Sequence, residues 1–345
     1  IKNAGGFPKQ SIDWLLRAYS LAPEQFDAVA VGSHAIIPFP IESSKPPELP
    51  GMAEHERGSV SFPTRVWRHI DYKHQNMRKL FFPLVVNKRE TSFKAGRELL
   101  KKMLKSIYGI PFEKVHFHKH HTCHAYAAYY GLLAPEAAKQ AAVITIDGEG
   151  DYESATVSAA SEEGGNARLT QIASTPFYKS LGYVYSQTTQ FLGMKALEHE
   201  YKVMGLAPYA KNYFKATYER LFKPLIGVDE KTLEFTCKFP LNRTLDYLKE
   251  NATCERFDNI AAAVQHLAEE VTTKLVAASL KKTNANSIYL GGGVFMNVKL
   301  NLKLAEMEQV AQVHPFPSCG DESTAMGACY YEYIHNFGKK PQETQ

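Results

Sequence analysis

Five of the chain's 13 histidines crowd into the stretch HFHKHHTCHA, residues 116–125: His116, His118, His120, His121 and His124. If a helix begins near residue 120, His120 and His124 stand at i and i+4, on one face and about 6 Å apart along the axis. That spacing lets one helix offer two imidazoles to a single metal ion. His121 falls about 100° round the helix. His116 and His118 alternate on a preceding strand. A polar strand-to-helix junction with satisfied histidines is the competing account of the same stretch.

A two-histidine site needs carboxylates to complete it. TIDGEGD puts Asp147 at the end of an apolar strand, and SCGDEST puts Asp321 in a loop just before a helix. Aspartates at strand ends in α/β folds face the ligand crevice. Each also has an ordinary use, Asp147 as a turn former and Asp321 as a helix N-cap. Two histidines with one or two aspartates would suit Fe(II), Zn(II) or Mn(II), with positions left open for substrate.

Three glycine-bearing stretches could approach phosphate. YLGGGVFMN, residues 289–297, reads as a strand, the loop Gly291-Gly292-Gly293, and then a helix. Such a turn brings backbone N–H groups and a helix N-terminus to an anion. It lacks the G-K-[ST] ending of a P-loop. DGEGD reads as a hairpin turn in which Gly148 and Gly150 permit close contact, and YKVMGLAPYA adds a turn at Gly205 with Lys202 nearby. Taken singly, each is more simply a tight turn. Taken in order, a D-G-x-G hairpin and then a triple-glycine loop fit the scheme by which actin-like sugar kinases and heat-shock ATPases hold phosphate and adenosine.

The elements that must position these residues alternate along the chain. SIDWLLRAYSLA reads as a helix with Ser11 as N-cap, and FDAVAVGS as a short strand. Residues 37–66, rich in Pro, Ser and Glu, form a connection longer than usual. Residues 92–109 are an amphipathic helix closed by Gly109. The histidine helix runs from about 120 to 132, followed by a strand–turn–strand over 140–161 and a helix over 180–193. Residues 211–256 carry no strong signal, and a long helix covers 257–283. Strand, loop and helix then occur twice, over 287–307 and 309–335. This alternation predicts an α/β architecture.

At 345 residues the chain exceeds the usual single-core limit of about 250–300 residues, so two lobes are expected. With 40 Lys+Arg against 36 Asp+Glu, the formal charge of +4 makes no case for nucleic acid or a membrane surface. No apolar run approaches the roughly 20 residues of a transmembrane helix, and the polar start, IKNAGGFPKQ, is not a signal peptide. The 5 cysteines are scattered without a C-x-x-C pair, which fits a reducing cytoplasm. Cys123 and Cys319 are read as small buried residues.

HHTCHAYAAYY, ITIDGEGDYESATV, SLGYVYSQTTQFLG, EYKVMGLAPYA, YLGGGVFMNVKLN and SCGDESTAMGA together resemble the NodU/CmcH-type O-carbamoyltransferases. The stretches occur in that family's order and span roughly residues 114–330, and KNAGGFPKQSIDW near the start is similar to the segment after the family's first strands. The resemblance implies a two-lobed actin-like ATPase fold like that of TsaD, the tRNA threonylcarbamoyl-transfer protein. The lobes would divide at 140, with the histidine helix in the first and the phosphate hairpin and glycine loops in the second. It implies His120, His124, Asp147 and Asp321 as metal ligands, with iron the first expectation and zinc or manganese as alternatives. ATP (with Mg²⁺) or carbamoyl-adenylate would touch Gly148, Gly150, Lys202, Gly205, Gly291, Gly292, Gly293 and Asn297. The implied reaction makes carbamoyl-adenylate from carbamoyl phosphate and ATP and passes the carbamoyl group to a hydroxyl of a sugar or natural product. His121 is the expected general base. Two family parts have no counterpart here, a glycine-rich first hairpin and a C-terminal YrdC-like domain. The chain is therefore read as the transferase-type domain, cytoplasmic, of a full protein for which a homodimer is an expected form. The competing readings are a TsaD-like tRNA-modifying protein, a phosphotransferase of the same superfamily, and a catalytically silent binding module.

Overall fold

The computed structural model describes residues 7–36, 75–132, 140–163 and 166–337. The proline-rich stretch over 37–66 lies outside them. Two compact units divide the chain between Phe117 and His118. The histidine helix therefore falls in the second unit, not in the first as a division at 140 implied.

The first unit contains helix α1 (Lys9–Ala18), strand β1 (Val29–Val31), the long helix α2 (Gln75–Tyr108) and strand β2 (Val115–Phe117). β1 and β2 pair in parallel, Val29 opposite Val115. Leu104, Ile110 and Val115 form their core, with Phe26, Val29 and Phe117 packed around it. α2 closes at Gly109, whose φ of +70° is the left-handed C-terminal geometry that glycine permits. Ser11 does not cap α1. The helix starts earlier, after Pro8, with no side-chain cap bond.

The second unit is built on one five-stranded sheet. Its elements are helix α3 (His120–Tyr130), strands β3 (Ala141–Gly150), β4 (Glu153–Glu163) and β5 (Asn166–Pro176), and helices α4 (Leu181–Phe191) and α5 (Glu200–Leu206). Next come a hairpin of β6 (Ile226–Asp229) and β7 (Glu234–Cys237), and helices α6 (Thr244–Asn251) and α7 (Phe257–Thr283). β8 (Ser287–Gly291), α8 (Val298–Ala305), β9 (Gln312–Pro315) and α9 (Glu322–His335) complete it. The strand order is β5-β4-β3-β8-β9. β3 pairs antiparallel with β4 and parallel with β8, and β8 pairs parallel with β9.

β3 sits at the centre because AAVITI is apolar on both faces. Residues 141–146 are all buried, as a strand covered on both sides requires. Helix α3 packs on β3 and β8, α9 packs along α3, and α7 also packs on β3. The β3–β4 reversal is not made by the glycines of DGEGD. Gly148 and Gly150 are still strand, and the chain turns at Asp151 and Tyr152, with φ of +51° and +71°. Aspartate tolerates this left-handed region better than most residues. Gly205 also departs from expectation, because it lies inside α5 rather than in a turn.

Candidate metal centre

Helix α3 begins where it does because of another element. Lys119, at its N-cap, offers no side-chain bond. Instead the carboxylate of Asp151, from the β3–β4 turn, accepts the backbone N–H of His120 at 2.8 Å. A free helical N–H is thus satisfied by another element. One turn later comes His124, and the two rings face the end of β3 with their Nε2 atoms 2.9 Å apart.

Asp147, on the last part of β3, places Oδ2 3.1 Å from His124 Nε2 and 3.5 Å from His120 Nε2. Asp321, at the start of α9, places Oδ1 3.4 Å from His120 Nε2 and 3.8 Å from His124 Nε2. One ligand atom from each of the four residues lies within 4.8 Å of the others. Around a shared ion, bonds of about 2.0–2.2 Å put neighbouring ligand atoms roughly 3.0–3.5 Å apart. The donor set fits a divalent transition metal in geometry and in chemistry, with two imidazoles and two carboxylates converging on one point. Asp321 does not act as a side-chain cap for α9, which leaves its carboxylate for the histidines.

The cluster is sheltered on one side and open on the other. His124 is fully buried, His120 nearly so, and the Asp321 side chain is 78% exposed. Two imidazole nitrogens 2.9 Å apart repel each other unless a proton or a cation lies between them and the carboxylates. Burial works against a charged His120, but the hydrogen bonds its ring gives to the Asp147 and Asp321 carboxylates prevail and lift its pKa to about 10. His124 is raised by the same balance. For Asp147, burial would raise the pKa, yet the two histidines hold it well below the ordinary carboxylate value. Asp321 is lowered likewise.

The glycines expected at a nucleotide wrap this cluster closely. A Cβ on Gly150 would stand 2.1 Å from the His120 ring. Gly292 adopts φ +92°, and a Cβ there would meet the Ile146 carbonyl at 2.4 Å. Gly291 and Gly293 lie against the His124 backbone and the Asp147 carboxylate, whereas Gly148 faces open space. Asn297 caps α8, accepting from Leu300 N–H at 3.0 Å and donating to Gln265 Oε1 at 2.7 Å. Lys202 extends over the Tyr201 ring, 5.8 Å from its centroid, on α5, which packs on α4 and α7.

His121 is placed differently from its neighbours. Its Nδ1 meets the Thr145 hydroxyl at 2.7 Å, and Thr145 meets Thr156 at 2.7 Å, in the interior of the sheet. Complete burial, with the charges of His120 and His124, holds it neutral with a pKa near 3. His118 pairs with Glu332 of α9 at 2.6 Å, and His116 bonds the Glu113 carbonyl at 2.8 Å. Cys123 and Cys319 are free and buried, and burial pushes both thiols up.

Sequence reasoning missed two residues of the site. One is Asp151, as the distant cap of α3. The other is Ser323, whose hydroxyl lies 2.9 Å from His124 Nδ1. Ser323 could have been read only as an early helical residue two positions after Asp321.

The protein is thus an α/β chain in which β3, α3 and α9 bring together four side chains that could hold a metal ion. It belongs to the family described as the carbamoyltransferase N-terminus, whose model matches residues 2–330. Among its relatives, an uncharacterised protein of Methanocaldococcus jannaschii is 27% identical over 272 residues, covering 75% of this chain and 43% of the relative. Nodulation protein NolNO of Sinorhizobium fredii is 26% identical over 245 residues, covering 67% of this chain and 33% of the relative. The chain therefore spans less than half the length of these curated relatives. A crystal structure of full-length HypF in its phosphate- and nucleotide-bound form aligns with a TM-score of 0.40 and 15% identity, covering 68% of this chain and 45% of that one. Among the described residues, no helix is long and apolar enough to cross a membrane.

Proposed function

We propose that this chain is the transferase part of an O-carbamoyltransferase of two-lobed actin-like ATPase architecture. It would act on carbamoyl-adenylate, formed from carbamoyl phosphate and ATP, and on a hydroxyl of a sugar or natural-product acceptor. The observation that carries the reading is the convergence of His120, His124, Asp147 and Asp321 within a chain of the carbamoyltransferase family. The second unit's sheet order supports the architecture. A hairpin leads from the central strand, and the glycine loop follows the strand parallel to it.

In the transfer, the acceptor oxygen forms a bond to the carbamoyl carbon. The bond from that carbon to the adenylate oxygen breaks, AMP leaves with the electron pair, and the hydroxyl proton passes to a base. A divalent ion held by His120, His124, Asp147 and Asp321, iron, zinc or manganese, supplies Lewis-acid polarisation of the carbamoyl oxygen when bound. The chain's own residues supply position and charge. The open side beside Asp321 is where a ligand can approach, because the other three groups face the interior. Gly148 presents its backbone at the same strand end with no side chain within 4 Å of where its Cβ would be. Gly291 to Gly293 hold the second loop against that strand end, where backbone N–H groups can meet phosphate. His121 is sealed against Thr145 and stays neutral, so its contribution is to support the helix rather than to take the proton. A YrdC-like domain in the whole protein would supply the carbamoyl-adenylate.

The test is metal analysis and nucleotide calorimetry on anaerobically prepared protein, wild type against a His120→Ala/His124→Ala double variant. Carbamoylation of hydroxyl acceptors is then measured with the full-length protein. Wild-type protein that retains no divalent metal would sink the four-ligand reading. Phosphorylated product made from ATP without carbamoyl phosphate would replace the reaction with phosphoryl transfer.

A further inference from the structure

Only an unprotonated ring nitrogen can bind a metal, so each imidazole of a two-histidine site must present the right one of its two nitrogens. For His124 the fold answers through a residue remote in sequence. Nε2 points at His120 and Asp147, at 2.9 and 3.1 Å. Nδ1 points the opposite way, into the protein, where the Ser323 hydroxyl meets it at 2.9 Å. Both residues are buried, His124 at 0% exposure and Ser323 at 1%, so water does not compete for this contact. A metal on Nε2 requires the ring proton on Nδ1, and that proton needs an acceptor, because a buried N–H without one is costly.

We propose that Ser323 is a positioning residue of the metal centre. Its oxygen accepts the Nδ1–H of His124, fixing the tautomer and the ring so that Nε2 faces the ion. This inference rests on the metal-centre reading above and extends it to a residue that touches neither metal nor substrate. The location of Ser323 strengthens the case. It stands two residues after Asp321, in the first turn of α9. One helix start therefore delivers both a ligand and the group that orients a second ligand from α3. The close crossing of the two helices keeps them in register, with Gly327 against the Cys123 backbone. Outer partners of this type commonly govern metal affinity by about 10–100-fold.

The experiment uses zinc as the probe, on the chain as it stands, for wild type and Ser323→Ala. Zinc affinity is measured by chelator competition. The tautomer of His124 is read by long-range ¹H–¹⁵N correlation spectra of the zinc-loaded protein. The expected result is a His124 Nδ1–H resonance that is protected from exchange in the wild type and lost or exchanging in Ser323→Ala. Zinc binding in the variant should be about 10–100-fold weaker. Ser323→Thr, which keeps the hydroxyl, should recover both. A Ser323→Ala protein with wild-type affinity and an unchanged His124 resonance overturns the assignment while leaving the metal centre intact. Wild-type protein that binds no zinc overturns both. Should the alanine variant not fold, the wild-type spectrum decides alone: a His124 protonated on Nε2, or metal-bound through Nδ1, overturns the proposal.

Discussion

Gly327→Ala tests the geometry that brings α9 to α3, because two simple arguments predict opposite signs for it. Gly327 lies mid-helix, and on helix propensity alone alanine should stabilise the protein by up to about 1 kcal/mol. In the folded chain, however, a Cβ at this position would lie 1.8 Å from the Cys123 carbonyl oxygen and 2.5 Å from its carbon. Both are backbone atoms, so no rotamer change relieves the contact. An ordinary C···O approach is about 3.3–3.6 Å, so the helices must part by roughly 1.5 Å. Forcing extra volume into a packed interior costs about 1–3 kcal/mol, and the propensity gain offsets only part of that. The net expectation is a loss of stability of about 1–2 kcal/mol. The separation also carries Asp321 and Ser323 away from the histidines. Sites of this kind tolerate displacements of only about 0.5 Å, so metal affinity should fall along with stability. The assay is urea unfolding of the metal-free protein, followed by zinc titration of the folded variant. Gly205→Ala provides the control: it is helical too, a Cβ there meets nothing within 4 Å, and it should be neutral or stabilising by up to about 1 kcal/mol. A Gly327→Ala protein as stable as its Gly205→Ala counterpart, with unchanged zinc affinity, would refute the close helix crossing.

Replacing His120 or His124 singly with alanine should weaken metal binding by more than the roughly 100-fold that outer partners control, as metal content after dialysis will show. In the metal-free protein His120, with its pKa near 10, holds a proton at neutral pH that a metal must displace. Binding should therefore release protons, measurable by calorimetry in buffers of different ionisation enthalpy, and apparent affinity should climb as pH rises from about 6.5 towards 10. The same shift has a stability sign. Protonated His120 stabilises the metal-free fold fully below its ordinary value of 6.5, and that contribution fades as pH rises through about 10. Chemical denaturation at stepped pH in a chelator should show this loss. Asp151→Ala removes the distant cap of α3 and also puts alanine at φ +51°, so it should cost about 2–3 kcal/mol, seen in unfolding curves, while Asp151→Asn, which keeps an acceptor and tolerates that backbone, should retain most of the stability.

The sequence was legible wherever local pattern and tertiary need agreed. The 257–283 helix matches α7 end for end, since its apolar content is buried along nearly its full length. AAVITI announced a strand, and the i, i+4 pair of histidines announced the α3 face. Legibility failed where a residue serves an element far away. Asp321 carries the letters of an N-cap, and only the folded chain shows its carboxylate turned to the histidines rather than to its own helix. Asp151 caps a helix that precedes it by a strand, and no local spacing encodes that contact. The glycines of DGEGD looked like the turn, yet Gly150 is glycine because the His120 ring occupies the place of its side chain. The β6–β7 hairpin and α6 fell in a stretch of mixed residues, because neither a two-residue nor a 3.6-residue period is clear there.

The centre also has a chronology. His124 and Ser323 lie 199 residues apart. At synthesis rates of about 5–20 residues per second, the ribosome needs roughly 10–40 s to travel from one to the other. Throughout that interval the nascent chain carries two imidazoles and then Asp147, a softer and more open set of ligands, without Asp321 or the hydroxyl that holds the His124 ring. On the proposed metal reading, discrimination among metals by all four ligands can begin only after α9 has left the ribosome.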